Sequence, residues 1–235
     1  MFKTKTFWMA AVAAFSVFAF VPAANAANWT GFYGGLHSGY YGTSTEYENA
    51  GTPHQSMHGL MGGIQAGYDY QLENGIVLGV VGDLSTGDVK TDPIRDGNYI
   101  VEHGKVDFSG SLRARVGYAI DNFLPYVTGG VVWEKVEQSE SCPHSSAVPF
   151  GFCHTHGGAN GFDLSQTKTQ TGWTLGAGLA YAIDQHWSLA GEYQYRHFGS
   201  VDYNLGLDGI GVPLPVSTMK SRNSDFVTIR INYKF

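Results

Sequence analysis

The chain has 235 residues, of which 32 are glycine, 14% are aromatic and only 14% are charged, whereas an ordinary soluble domain carries about 25% charged residues. A mean hydropathy of −0.13 excludes a protein built from many membrane-spanning helices, and the 14 tyrosines argue against wholesale disorder. The net charge of −6 provides no basic surface for nucleic acid, so we expect no nucleic-acid partner.

The first segment predicts a targeting signal rather than part of the fold. Lys3 and Lys5 precede an apolar run over residues 7–21, and Ala24 and Ala26 supply the small residues of a cleavage site. The run is shorter than the about 20 residues that a membrane-spanning helix needs. We therefore expect residues 1–26 to be a signal peptide and residues 27–235 to form the folded domain.

Beyond Trp29, apolar and polar residues alternate with a period of two, which is typical of half-buried β-strands. In residues 107–119, for example, Leu112 and Val116 share one face while Arg113 and Arg115 share the other. The same pattern predicts eight strands, over residues 32–41, 60–72, 76–84, 107–119, 124–136, 169–182, 187–198 and 225–235.

The segments between these strands alternate in length. Three are short turns, at residues 73–75, 121–122 and 184–185, and four are long and polar, at residues 42–59, 85–104, 137–168 and 199–224. Short turns on one side and long loops on the other are typical of a transmembrane β-barrel. We therefore predict an all-β fold, an eight-stranded antiparallel transmembrane barrel with short periplasmic turns and long extracellular loops.

Alternation alone does not distinguish a membrane barrel from a soluble one, which would bury its apolar face. Aromatic residues cluster at the ends of the predicted strands, where the interfacial girdles of membrane barrels lie. These residues are Phe32, Tyr40, Tyr68, Tyr70, Tyr118, Trp133, Trp173, Tyr181, Trp187, Tyr195 and Tyr233. We therefore expect the apolar face to point outward into lipid.

The polar face carries charges of both signs, which predicts a network inside the barrel. Its members are Asp107, Arg113, Arg115, Glu134, Glu192, Arg196 and Arg230. Eight strands leave an interior just wide enough for side chains, and buried charges must be paired. We favour a salt-bridged plug over an open pore, and a small porin-like channel stays the alternative.

Residues 142–156 have the most unusual local sequence. In an oxidising compartment, Cys142 and Cys153 can form a disulfide, which would stabilise the fold by about 3 kcal/mol through loop closure. Nearby, His144, His154 and His156 are candidate ligands for haem iron, zinc or copper. No zinc-finger spacing supports a metal, so we favour a disulfide-pinned surface loop without a cofactor.

Signals for catalysis are weak. The chain contains no G-x-S-x-G, P-loop or H-E-x-x-H motif. His197 with Ser200 is the best local candidate for a base and its partner, and His103 is another. We therefore do not expect an enzyme.

Residues 29–40, with the sequence WTGFYGGLHSGY, resemble the opening strand of the small bacterial outer-membrane β-barrel family. That family includes opacity-type and porin-family surface antigens, some of them hemin-binding. Residues 124–131 and 227–235 resemble its middle and last strands, and the ending with Tyr233 and Phe235 resembles an outer-membrane sorting signal. The resemblance implies eight strands and a place in the bacterial outer membrane, and it carries no catalytic residues.

These observations predict a mainly structural, surface-exposed protein whose long loops mediate interaction with the outside. The expected partners are outer-membrane lipid and lipopolysaccharide, the barrel-assembly machinery during biogenesis, and host or other extracellular ligands.

Overall fold

The structure is a computed structural model that describes residues 27–45, 47–48, 55–91, 94–95, 101–142, 147, 152–204, 206–213, 217–219 and 221–235. The predicted signal peptide and His144 lie outside the described residues. The elements are β1 (Gly31–Thr45), β2 (Tyr47–Glu48), β3 (Gln55–Gln71), β4 (Ile76–Thr91), β5 (Ile94–Arg95), β6 (Val101–Tyr118), β7 (Phe123–Cys142), α1 (Phe152–His156), β8 (Phe162–Ala182), β9 (Trp187–Phe198), β10 (Val201–Tyr203), β11 (Ser217–Met219) and β12 (Arg222–Lys234).

The eight long strands form a closed antiparallel barrel. Around the barrel they follow the order β1, β3, β4, β6, β7, β8, β9 and β12. The pairing of β1 with β12, which places Tyr33 opposite Lys234, completes the ring. The predicted eight-stranded antiparallel barrel is therefore confirmed.

The short connections are tight turns at residues 72–75, 119–122 and 183–186. Gly75 (φ 85°) and Asp121 (φ 51°) adopt the left-handed backbone conformation that tight turns use. In the third turn, the Asp184 carboxylate accepts hydrogen bonds from the backbone N–H groups of Trp187 (2.7 Å) and His186 (2.8 Å). These bonds lower the pKa of Asp184. We call this side of the barrel the short-turn end and the other side the long-loop end.

At the long-loop end the strands run further than the sequence pattern predicts. β7 continues to Cys142 and β8 begins at Phe162, so much of the expected loop at residues 137–168 is an extended hairpin. Beyond the apolar band polar side chains occupy both faces of a strand, so the period of two fades while the backbone pairing continues. A small sheet of β10, β11 and β2 also lies at this end.

The apolar face of the barrel points outward. Phe32 and Leu60 are each 67% exposed and Ile229 is 65% exposed, whereas Arg113 and Arg196 are at most 1% exposed. This inverts the arrangement of a soluble protein and confirms the predicted orientation. No helix among the described residues has the length and apolar character needed to cross a membrane.

A charge on the outer wall should therefore destabilise the barrel. Ile229 lies near the middle of β12, and Ile229→Arg should cost about 2–4 kcal/mol, as expected for a cation at the midplane of a lipid bilayer. The free energy of unfolding by urea in liposomes measures this cost, with Ile229→Leu as the control. If Ile229→Arg and Ile229→Leu have the same free energy of unfolding, the lipid-facing orientation is contradicted.

Candidate functional site

The interior contains three layers of ionic contacts, and the first lies toward the short-turn end. The Arg115 guanidinium pairs with Asp69 (Nη1–Oδ2 3.1 Å) and lies over the ring of Tyr126 (4.1 Å to the centroid). It also donates to the hydroxyl of Tyr33 (3.2 Å). Gly178 makes room for one of these rings, because a Cβ there would lie 2.5 Å from the Tyr126 ring.

The second layer is centred on Glu192. Its carboxylate accepts hydrogen bonds from Arg113, from Arg230 (3.1 Å) and from the hydroxyl of Tyr126 (2.9 Å). Arg113 also pairs with Asp83 (Nη2–Oδ2 2.6 Å). Since β6 and β12 lie on opposite sides of the ring, Glu192 connects the two walls through Arg113 and Arg230.

The third layer is centred on Glu134 on β7. It pairs with Arg196 (3.2 Å) and Arg222, and it accepts a hydrogen bond from Tyr41 (2.8 Å) across the lumen. The Arg196 guanidinium also lies 4.5 Å from the ring centroid of Phe226. All three partners of Glu134 are therefore side chains that lie within the lumen.

Apolar side chains cover the ionic layers at both ends. Toward the long loops lie Met57, Met61, Val89, Val106, Val136, Tyr203 and Phe226. Toward the short turns lie Trp29, Val77, Leu124, Ala180, Ala182 and Ala190. The ionic groups are thus removed from water, where an opposite charge stabilises them far more strongly than it would at the surface.

The structure brings together Arg113, Arg115, Glu134, Glu192, Arg196 and Arg230, as the sequence predicts. The prediction for Asp107 was wrong. A register shift between Val106 and Phe108 interrupts the alternation of β6, and Asp107 pairs with Lys105 (2.6 Å) with 44% of its side chain exposed. A β-bulge of this kind changes the direction of one side chain without a clear sequence signal.

The sequence prediction missed three members of the network. Asp69 and Asp83 lie within predicted strands and on their polar faces, so the alternation contained a signal for both. Arg222 fell in a predicted loop, although it is the first residue of β12 and shares the inner face with Ser224 and Phe226.

The network predicts that Glu192 contributes strongly to stability. Glu192→Gln would leave Arg113 and Arg230 without their shared carboxylate, and breaking a buried ion pair in this way costs about 3–5 kcal/mol. The free energy of unfolding in detergent micelles measures the loss. The matched control is Asp107→Asn, which should change little because exposed ion pairs contribute little. A stable Glu192→Gln barrel would show that the charges are not required.

A disulfide closes the loop between β7 and β8. Cys142, the last residue of β7, is bonded to Cys153 in α1, with 5.4 Å between the Cα atoms. Both cysteines are buried, and Phe162 packs against them. The predicted disulfide is therefore present, and it fixes α1 to the end of the β7–β8 hairpin.

A second contact joins this loop to the loop between β9 and β12. His156 Nδ1 lies 2.5 Å from Asp208 Oδ2, and the backbone N–H of Gly209 donates to the carbonyl of His156 (3.0 Å). The other oxygen of Asp208 accepts the N–H groups of Ile210 (3.0 Å) and Val212 (2.8 Å). We call this contact the loop clasp.

Burial raises the pKa of Asp208, but the hydrogen bonds from His156, Val212 and Ile210 lower it further, so the net shift is below the ordinary value. The folded state therefore favours the ionised carboxylate, and the clasp is retained above the ordinary pKa of Asp. It is lost only as the pH falls through the lowered pKa of Asp208.

The lowered pKa of Asp208 predicts how the loop clasp behaves in acid. The amide protons of Ile210 and Val212 should stay protected from hydrogen exchange at pH 7 and pH 5, about one unit above the ordinary Asp pKa, and lose protection only in stronger acid. Asp208→Asn should show the acid behaviour already at pH 7. Loss of protection between pH 7 and pH 5 in the unaltered protein would assign the clasp to another group.

The candidate cofactor ligands are only partly described. His154 is exposed on α1, and His156 belongs to the loop clasp. Both cysteines are consumed by the disulfide and cannot act as thiolate ligands. Among the residues that the structure describes, no three His, Cys, Asp or Glu side chains are grouped to hold a metal ion.

The structure also shows the surroundings of the histidines that could act as a catalytic base. His37 Nε2 lies 2.8 Å from Ser85 Oγ, and both residues are at most 5% exposed inside the barrel. His197 lies on the outer wall, where its Nδ1 contacts Asn223 (2.7 Å) and its ring packs against Trp173. Only the backbone of His103 is described.

Comparison with known proteins decides the family. The family model described as outer membrane protein beta-barrel domain matches residues 10–235. The chain belongs to this family. It is 35% identical over 224 residues to the 31 kDa outer-membrane immunogenic protein of Brucella melitensis, covering 88% of this chain and 84% of that protein.

A second relative is the 25 kDa outer-membrane immunogenic protein of Brucella abortus, 30% identical over 208 residues, with 88% of this chain and 80% of that protein covered. Among solved structures, Neisserial surface protein A is 14% identical with a TM-score of 0.43, covering 88% of this chain and 98% of that one. This outer-membrane barrel protein is therefore located in the bacterial outer membrane and contacts its lipid. By the layout of such barrels, the short-turn end is periplasmic and the long-loop end is extracellular.

Proposed function

We propose that this protein is a sealed, structural surface protein whose extracellular loops contact molecules outside the cell. The observation that carries the proposal is the filled lumen, in which Glu134 and Glu192 are held by side chains from several strands between two apolar layers. A barrel closed in this way displays loops rather than conducting solutes. The Brucella relatives are named immunogenic proteins, which supports exposure of the loops.

The loops have the character of a binding platform. The disulfide and the loop clasp hold two of them together, and the clasped segment exposes Leu207 (54%), Ile210 (55%) and Val212 (44%). Apolar side chains presented together on an extracellular loop are a feature of interaction sites. The proposed partners of this platform are host or other extracellular ligands.

Conductance tests the sealed lumen. The purified protein in a planar bilayer should give no reproducible current steps, because the ionic layers and the apolar layers fill the interior. The double variant Glu134→Ala with Arg222→Ala removes two large interior side chains that pair with each other, and it should introduce steps. Reproducible steps from the unaltered protein would favour the alternative function, a small channel.

Haem or metal binding by residues 142–156 stays a prediction, because it depends on His144 together with His154 and His156. Titration of the protein with haem, followed by absorbance, tests it. If the three histidines are ligands, replacing all of them with Ala should abolish the haem spectrum. Unchanged binding would remove the hypothesis.

We propose a non-enzymatic role, which the names of the relatives support. We also propose removal of residues 1–26 on export, which N-terminal sequencing of the mature protein tests.

Lipopolysaccharide and the barrel-assembly machinery are the proposed partners in the membrane. Recognition by that machinery would use Tyr233 and Phe235, which point outward from the end of the chain and are 37% and 82% exposed.

A further inference from the structure

Three lysines lie close together on the outer wall at the extracellular edge of the barrel. Lys90 on β4 is directly opposite Lys105 on β6, and Lys135 on the neighbouring β7 is opposite Phe108. Residues paired across strands point to the same face, and the neighbouring Val89 and Val106 point inward. We call Lys90, Lys105 and Lys135 the lysine patch.

An apolar surface lies directly below the lysine patch. Leu112 and Val131 face each other across β6 and β7 and are 52% and 54% exposed to lipid. Two residues further along β7 is Trp133, which packs against Gly110, since a Cβ at Gly110 would be 2.6 Å from the indole ring. The next outward residue is Lys135. Along these strands, aliphatic, aromatic and cationic side chains thus follow one another toward the cell exterior.

The charges of the patch are only weakly committed to partners within the protein. Lys90 pairs with Asp88 (2.8 Å) and Lys105 with Asp107 (2.6 Å), but all four side chains are well exposed. Such exposed pairs contribute little, so another anion can replace the carboxylates. Lys105 also faces Glu137 across the strand pair.

Lys135 differs from the other two lysines. Its ammonium lies 6.0 Å from the ring centroid of Phe108 and forms no ion pair among the residues that the structure describes. In addition, Lys90 and Lys105 are like charges placed directly opposite each other, an unfavourable arrangement. An anion that bridges the three ammonium groups would relieve this repulsion.

The patch occupies one side of the barrel. On the opposite wall, the outward residues toward the extracellular ends of β9 and β12 include His197 with Asn223, and Tyr193 with Asp225. None of these is a lysine, so among these outward residues the lysines are on the β4–β6–β7 side.

We propose that the lysine patch binds the phosphate groups of a glycolipid in the outer leaflet. Its acyl chains lie against Leu112, Val131 and Trp133, which favours a lipid over free phosphate. The inference rests on the proposed lipopolysaccharide contact and assigns it to one surface of the barrel. The chemistry recognised is a phosphate ester placed at the level where the apolar band ends.

Binding of purified diphosphorylated lipid A to the detergent-solubilised barrel, measured by native mass spectrometry, tests the proposal. The double variant Lys105→Gln with Lys135→Gln should weaken binding by about fivefold for each lysine lost. Lys105→Arg with Lys135→Arg should retain binding because the charges persist. The matched control is Lys234→Gln, which removes a lysine at the periplasmic end.

Two further measurements separate the sources of phosphate. Dephosphorylated lipid A should bind the unaltered protein at least as weakly as diphosphorylated lipid A binds the double Gln variant, because that variant retains Lys90. Inorganic phosphate should displace the glycolipid poorly, because it lacks the acyl chains. Displacement at equal concentrations would overturn the lipid assignment.

Equal glycolipid binding by the double Gln variant and the unaltered protein would overturn the proposal. Because the substituted side chains are on the outer wall, each variant should still migrate as a folded, heat-modifiable barrel in gel electrophoresis. Failure of the proposed sealed function would instead appear as current steps in planar bilayers, which these substitutions leave unchanged.

Discussion

The interior of this barrel depends on the cost of leaving a guanidinium group unpaired away from water. Arg113, Arg196, Arg222 and Arg230 are at most 3% exposed, so each requires a carboxylate or an equivalent set of acceptors. Glu134 and Glu192 meet this requirement for all four, and they do so from different strands. Pairing thus fixes the relative positions of the walls, a role that apolar packing has in soluble domains.

The order of the layers follows from the same constraint. Ion pairs are strong only where water is excluded, and the apolar layers containing Phe226 at one end and Leu124 at the other provide that exclusion. The apolar layers can exclude water because an eight-stranded barrel has an interior just wide enough for side chains. The proposed sealed lumen leaves the outer wall and the loops as the surfaces available for function.

Strand number, orientation and most of the network were predictable because the period of two is strict within the apolar band, as Ile229 and Arg230 illustrate. The prediction failed where that period is interrupted. Asp107 lies at a bulge, and Arg222 lies where the strand extends beyond the band. The loop clasp joins His156 to Asp208, residues 52 positions apart, and no local pattern in a single sequence reports such a distant contact. The lysine patch likewise needs the strand register, which alternation alone does not provide.

The pairing of β1 with β12 has a consequence for biogenesis. The two strands that complete the ring stand at opposite ends of the chain, with Tyr33 opposite Lys234, so the hydrogen bonds between them form only after the whole polypeptide has been exported. Until then both strands have an unpaired edge, which readily joins another chain. Closure of the ring therefore removes the last unpaired strand edges of the barrel.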